Sequence, residues 1–312
     1  MLETAPPLLE REDELARIEG LVGGALERRG ALAVVTGHAG VGKTRLLQQG
    51  RELAAEAGLT VCRARGSEIE REFAFGVVRQ LVDPLLLALG AERRAELLAG
   101  PAAGAAPLLG GAVAPAGPAL TDASFATLHG LYWLLATLAE QAPLALVADD
   151  VHWADEPSLR FLDFLGRRLD GLAVLVLAGA RPEPDPLLEA LADGAAAVLR
   201  PQPLSPTAAG ALVERAFAQA APAFVAACVE ATGGNPFLLG ELLAGLAAEG
   251  VRPDDAGRDR VRALGPAGVR RSAAARVRRI SPAAACLAAA VAVLGPSADL
   301  REAAALAGIG EG

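Results

Sequence analysis

Lysine is almost missing from this chain: of the 29 basic residues in 312, one is lysine, at position 43, and the others are arginine. Aromatic residues make up 4%, with 2 tryptophans and 1 tyrosine. Three cysteines, at positions 62, 228 and 286, are too few and too scattered for a disulfide framework, and their apolar surroundings point to buried thiols rather than metal ligands. No run of 18 strongly apolar residues occurs, which excludes a helical membrane span. The opening "MLETAPPLLEREDELARIE" carries acids where a secretory leader needs a basic start and an apolar stretch, so the chain reads as cytoplasmic with no membrane association. The formal charge of -8 argues against broad electrostatic binding of nucleic acid.

What is present is mostly alanine and leucine, in a hydrophobic content of 53%, at a length that suits about two domains. "ALAVVTG" (31–37) is a short apolar run of the kind buried on both faces of a parallel sheet. A helix is expected from 42 to about 57, with Leu46, Leu47 and Leu53 on one spacing and Gly58 as its stop. "LTVCRARG", 144–150, 172–181 and 196–200 read as further strands, and helical patterns cover 124–140 and 156–169. Strands alternating with helices predict an α/β fold with a parallel sheet and right-handed crossovers. The Pro/Gly/Ala-rich stretch 98–120 carries no charge between Leu98 and Leu120 and reads as a mobile insertion. From about 201 the pattern is helical, with Ser205 as a cap and Pro206 in the first helical position.

Gly37-His38-Ala39-Gly40-Val41-Gly42-Lys43-Thr44 has the spacing G-x-x-x-x-G-K-[ST] and lies between a buried strand and a helix, which makes it a P-loop candidate. Its glycines let the backbone wrap with N–H groups turned inward, an anion nest continuous with the positive end of the helix that Arg45 continues. Lys43 is expected to reach the β- and γ-phosphates of ATP, and the Thr44 hydroxyl to ligate Mg²⁺. A compact ammonium fits inside such a loop where a planar guanidinium does not, which explains the one retained lysine.

"LALVADDVHWAD" brings a second element, two carboxylates at the end of a buried strand. Asp149 is the Mg²⁺ candidate and Asp150 the candidate base or orienter for the attacking water. His152 and Trp153 read as packing or undecided, and Asp155 as the cap of a helix that starts at Glu156-Pro157. Arg181 follows the 172–181 strand on the same sheet edge, as a candidate γ-phosphate sensor or a plain surface arginine.

Together "LLEREDELARIE" (8–19), the P-loop, "VADDVHWAD", "LAGARP" and "ATGGNPFLLGELL" (231–243) resemble, in that order, the signal-transduction ATPases with numerous domains. More narrowly they resemble the ATPase module of the large ATP-binding LuxR-type transcriptional regulators, over about residues 9–310. The resemblance implies an AAA-type ATPase domain over 1–200, with a five-stranded parallel sheet whose Arg181 strand separates the P-loop and acidic strands. It further implies a helical lid over 201–278 and the start of a winged helix over 279–312. Gly234 and Pro236 match the lid's Gly-x-Pro element, whose proline lies against the nucleotide. Glu10-Arg11-Glu12 stands where the family has Gly-Arg-Glu, which implies that Arg11 approaches the adenine. The regulators carry a helix-turn-helix that is not found here, so direct DNA binding is not expected, while self-association or a protein partner is. The arginines at 258–279 read as a solvated helical face, or as contacts to an acidic partner or the nucleotide. The implied function is an ATP-binding, slowly hydrolysing switch; the alternative is a nucleotide-dependent scaffold that holds ADP without significant turnover.

Overall fold

A computed structural model describes residues 8–109 and 125–265, together with residue 268. These residues fall into two compact units that divide between Gln202 and Pro203.

The first unit is built on five parallel strands, β1 (Ala31–Thr36), β2 (Thr60–Arg65), β3 (Leu144–Asp149), β4 (Val174–Ala180) and β5 (Ala197–Leu199), in the spatial order β2-β3-β4-β1-β5. β4 therefore lies between β1 and β3, as the resemblance implies. All seven residues of β4 are buried, and β1 and β3 are buried in five positions of six. This is why these segments read as unbroken apolar runs: both faces of the sheet are covered. Alternation survives within them. Leu32, Val34, Leu144, Leu146, Val174 and Val176 join one core cluster, whereas Ala33, Val35, Ala145, Val147, Leu175 and Leu177 join another.

The second of these faces is covered by α1 (Glu12–Leu26) and α2 (Lys43–Glu56), through Ile18, Val22, Leu46 and Leu47. Glu12, Asp13 and Glu14 open α1, where negative charge suits the helix N-terminus. The other face is covered by α3 (Gly76–Leu87), α4 (Ala91–Leu97), α6 (Phe125–Gln141), α7 (Glu156–Gly166) and α8 (Pro186–Asp193). Each fully buried Leu or Val there contributes about 1.5–3 kcal/mol.

The expected mobile insertion requires a correction. Residues Gly100–Ala105 form a 3₁₀ helix and Ala106–Leu109 form α5, with Ala102, Ala105, Leu108 and Leu109 buried in the core. Gly104 packs closely on α6, where a Cβ on it would lie 2.0 Å from the Ala126 carbonyl oxygen, and a Cβ on Gly130 of α6 would lie 2.5 Å from the Ala105 nitrogen. The rest of the stretch, 110–120, lies outside the described residues.

The second unit contains α9 (Pro206–Ala216), α10 (Pro222–Thr232), α11 (Pro236–Ala248) and helical residues 255–265. Ser205 caps α9 by accepting from Ala208 N, with Pro206 in the first position. Arg258 pairs with Asp255 and Asp259, and Arg260 with Glu249, so these arginines belong to an ion-paired surface. The expected winged-helix region (279–312), Cys286 and the arginines from 270 to 279 lie outside the described residues. Cys62 and Cys228 are buried free thiols, and burial pushes them up to about 11 and about 12 respectively.

Candidate functional site

The carboxyl ends of β1, β3 and β4 bring the candidate residues to one edge of the sheet. β1 ends at Thr36, the chain turns through Gly37–Gly42, and α2 begins at Lys43. Gly40 and Gly42 have φ of 82° and 103°, a backbone that a side chain disfavours. No side chain caps α2. Its positive end therefore points along the loop in the way an anion requires.

Lys43 is 7% exposed, and its Nζ donates to the carbonyl oxygens of Gly37 at 2.8 Å and His38 at 3.1 Å. The ammonium thus sits inside the curl of its own loop. Burial, then the Arg181 charge, lowers its pKa from the ordinary lysine value, while Asp150 and Asp149 oppose that shift. A further anion placed in the loop stabilises the charged form.

Thr44 Oγ1 donates to Asp149 Oδ2 at 2.7 Å, joining the first turn of α2 to the end of β3. The other oxygen, Asp149 Oδ1, accepts from Asp150 N at 2.9 Å. Asp150 itself has φ 51°, a left-handed conformation that aspartate tolerates better than most residues and that concentrates at functional sites. Its Oδ2 accepts from Arg65 Nε at 3.1 Å and Arg65 Nη2 at 2.9 Å. Arg65 closes β2, and its main chain is held in turn by Gln80 of α3: Arg65 N donates to Gln80 Oε1 at 2.9 Å and Gln80 Nε2 donates to Arg65 O at 3.2 Å. Neither Arg65 nor Gln80 emerges from the sequence reading. One arginine among so many at a strand end carries no motif, and the pairing exists only because β2 lies beside β3.

Arg181 follows β4 directly and is exposed, and its charge acts on both Lys43 and His152. His152 lies on a 3₁₀ turn, Val151–Trp153, is 2% exposed, and has no hydrogen-bond partner on either ring nitrogen among the described residues. Burial first, and Arg181 second, lower its pKa against the opposing pull of Asp150 and Glu183. The Trp153 ring lies beside it, tilted by 43°, at 5.2 Å between ring centroids.

Asp155 does more than cap α7. It accepts from Ser158 N at 2.8 Å and Ser158 Oγ at 2.7 Å, and also from Phe75 N at 2.7 Å at the start of α3. At 2% exposure it is a buried carboxylate that joins two helix N-termini.

Arg11 is 3% exposed, and its guanidinium meets the main chain: Nη1 donates to Glu10 O at 2.7 Å, and Nη2 donates to Val41 O at 3.1 Å and Gln202 O at 2.6 Å. Pro236 belongs to the second unit, at the first position of α11, after Gly233 and Gly234 with φ of 57° and 72°. Asn235 caps that helix, accepting from Phe237 N and Leu238 N.

Among the described residues no cluster of three His, Cys, Asp or Glu is placed to hold a metal ion. The Thr44 hydroxyl and the Asp149 carboxylate are two hard oxygen donors in contact, the small donor set that suits Mg²⁺, an ion that keeps most of its waters. No helix among the described residues is long and apolar enough to cross a membrane.

A sequence model of the AAA ATPase domain matches residues 7–177. An uncharacterized protein of Rhizobium meliloti is 28% identical over 200 residues, which is 56% of this chain and 19% of that protein. The chain thus spans about a fifth of the length of the relative it matches. Among solved structures, a signal-transduction ATPase with numerous domains and a tetratricopeptide repeat sensor, from Pyrococcus horikoshii, is 19% identical. That match covers 77% of this chain and 30% of the other, with a TM-score of 0.47. The Drosophila ORC bound to DNA is 14% identical, covering 100% of this chain and 77% of the other, with a TM-score of 0.49.

Proposed function

The chain belongs to the AAA ATPase domain family, and from that premise we propose that it is an ATP-dependent switch that hydrolyses its nucleotide slowly, as the ATPase module of a LuxR-type transcriptional regulator or a related signalling protein. The observation that carries this reading is the 2.7 Å hydrogen bond from Thr44 to Asp149, because it joins the P-loop helix to the acidic strand in one oxygen-lined site.

In this reading Gly37, His38, Ala39, Gly40, Val41 and Gly42 surround the phosphates with main-chain N–H groups, and Lys43 turns from its own carbonyls to the phosphate oxygens. Thr44 and Asp149 would hold Mg²⁺, which would supply positive charge to offset the phosphates. Asp150 orients or deprotonates the attacking water, and Arg181 stabilises charge on the γ-phosphate. Pro236 is assigned the part of the lid's Gly-x-Pro element, which reports ATP against ADP in the family that the chain resembles. The chain works in the cytoplasm, through self-association or a protein partner.

One observation favours a second reading, a scaffold that holds ADP with little turnover: the Asp150 carboxylate is engaged by Arg65. Phosphate release from ATP and Mg²⁺ under single-turnover conditions separates the two. Release that is slow but abolished in Asp150→Asn supports the switch; no release from the parent, with ADP retained, supports the scaffold.

A further inference from the structure

The buried guanidinium of Arg11 connects two pieces of main chain far apart in sequence. Val41 lies in the P-loop, between the two glycines of positive φ, and Gln202 lies just beyond β5. β5 pairs with β1, so the chain leaving β5 runs beside the loop that leaves β1. The contact is close: a Cβ on Gly37 would lie 3.0 Å from Val41 Cγ2 and 3.7 Å from the Pro201 carbonyl oxygen. Both hydrogens of Arg11 Nη2 are committed across this seam, one to Val41 O and one to Gln202 O. A hydrogen bond from a charged donor to a buried carbonyl is stronger than a neutral one, so the pair of bonds matters to where the loop sits.

The backbone beside Arg11 points the same way. Glu10 has φ 56°, in the left-handed region that a residue with a side chain disfavours. Such a conformation persists only where the surroundings over-determine it. Here Arg11 Nη1 holds the Glu10 carbonyl itself, while Arg11 is the N-cap residue of α1, whose Ile18 and Val22 are fixed in the core. The strained turn delivers the guanidinium to the seam.

We propose that Arg11 is a positioning residue for the phosphate loop: it fixes the Val41 peptide against the strand exit at Gln202, and it serves phosphate binding through the loop rather than by reading the base. The inference rests on the nucleotide reading of the P-loop, and one arm of its test is independent of that reading. Loss of this anchor frees the loop whether or not a nucleotide is present, and it weakens every ligand that uses the loop, with or without adenine.

The test compares the full chain with Arg11→Ala and Arg11→Lys. In the nucleotide-free protein, hydrogen exchange should accelerate in both 37–44 and 200–204 in Arg11→Ala, with the strands β3 and β4 unchanged. In equilibrium titrations with Mg²⁺, tripolyphosphate and ADP should both weaken about tenfold or more, by the same factor, with the ratio of ADP to GDP affinity the same as in the parent. Arg11→Lys should recover part of both, since an ammonium supplies charge without the fork that spans two acceptors. Tripolyphosphate affinity unchanged while ADP weakens would show that Arg11 reads the nucleoside and would overturn the proposal, as would exchange unchanged in 37–44. If the parent binds neither ligand, the nucleotide reading fails, and the exchange result alone then decides whether Arg11 anchors the loop.

Discussion

Arg65 donates twice, from Nε and Nη2, to a single oxygen of Asp150, and Asp150 is at the same time a residue in a left-handed backbone conformation. The arginine side chain is 72% exposed and the aspartate 17%, so the pair straddles the rim of the site and is a weak contributor to stability. Its consequence is geometric: the carboxylate oxygen that Arg65 engages is one that an attacking water would need as its acceptor. Arg65→Ala is therefore expected to leave ADP affinity within about twofold and to raise the rate of phosphate release several-fold, on the order of 1 kcal/mol in barrier. A fall in rate would show instead that Arg65 holds Asp150 in its working position.

Asp149 and Asp150 are neighbours with separable roles. Asp149→Asn removes charge from the Thr44 partner and is expected to raise the Mg²⁺ concentration needed for ATP binding, while Asp150→Asn is expected to keep binding and lower single-turnover hydrolysis about a hundredfold or more. Titrating Mg²⁺ against both variants checks the assignment, and equal behaviour of the two would contradict it.

Much of this arrangement is legible in the sequence, and the illegible part has a physical cause. The P-loop, the acidic strand and the Arg181 strand announce themselves because each pairs an unbroken apolar run with a chemical signature at its carboxyl end. Their order in the sheet, with β4 between β1 and β3, comes from the family resemblance and is what the structure has. The stretch from 100 to 109 misleads because proline, glycine and alanine look like a linker until α6 is present to pack on them. Arg65, Gln80 and the second role of Asp155 are hidden for a related reason. Their partners lie 15 to 85 residues away and meet only across the sheet and the α3 terminus.

Asp155 is expected to matter for stability more than for chemistry. Asp155→Ala leaves Phe75 N and Ser158 N without the acceptor they share, a loss of about 2–4 kcal/mol that should appear as a lower denaturation midpoint. ADP affinity measured well below that midpoint should stay near the parent value. A variant as stable as the parent would mean that α3 and α7 do not depend on this carboxylate.

His152 predicts a pH dependence. Burial and Arg181 hold its folded-state pKa below the ordinary histidine value, so as pH falls below about 6.5 the unfolded chain takes up a proton that the folded chain resists. Protons bound preferentially by the unfolded state lower stability, and the loss grows as pH drops through that window. His152→Gln should therefore lose less stability between pH 7.5 and pH 5 than the parent, by denaturant titration at each pH. Equal losses would place the histidine in contact with solvent or with a compensating carboxylate.

The central claim is that Lys43, the one lysine of the chain, is retained for phosphate, and Lys43→Ala tests it most directly. The ammonium lies buried against the Gly37 and His38 carbonyls inside the loop, and its removal takes the cation out of the nest. Isothermal titration of the folded variant with ADP and Mg²⁺ should show affinity reduced at least about a hundredfold, or about 2.7 kcal/mol, with circular dichroism unchanged. Affinity equal to the parent's would mean that the loop from Gly37 to Thr44 does not bind nucleotide in this protein.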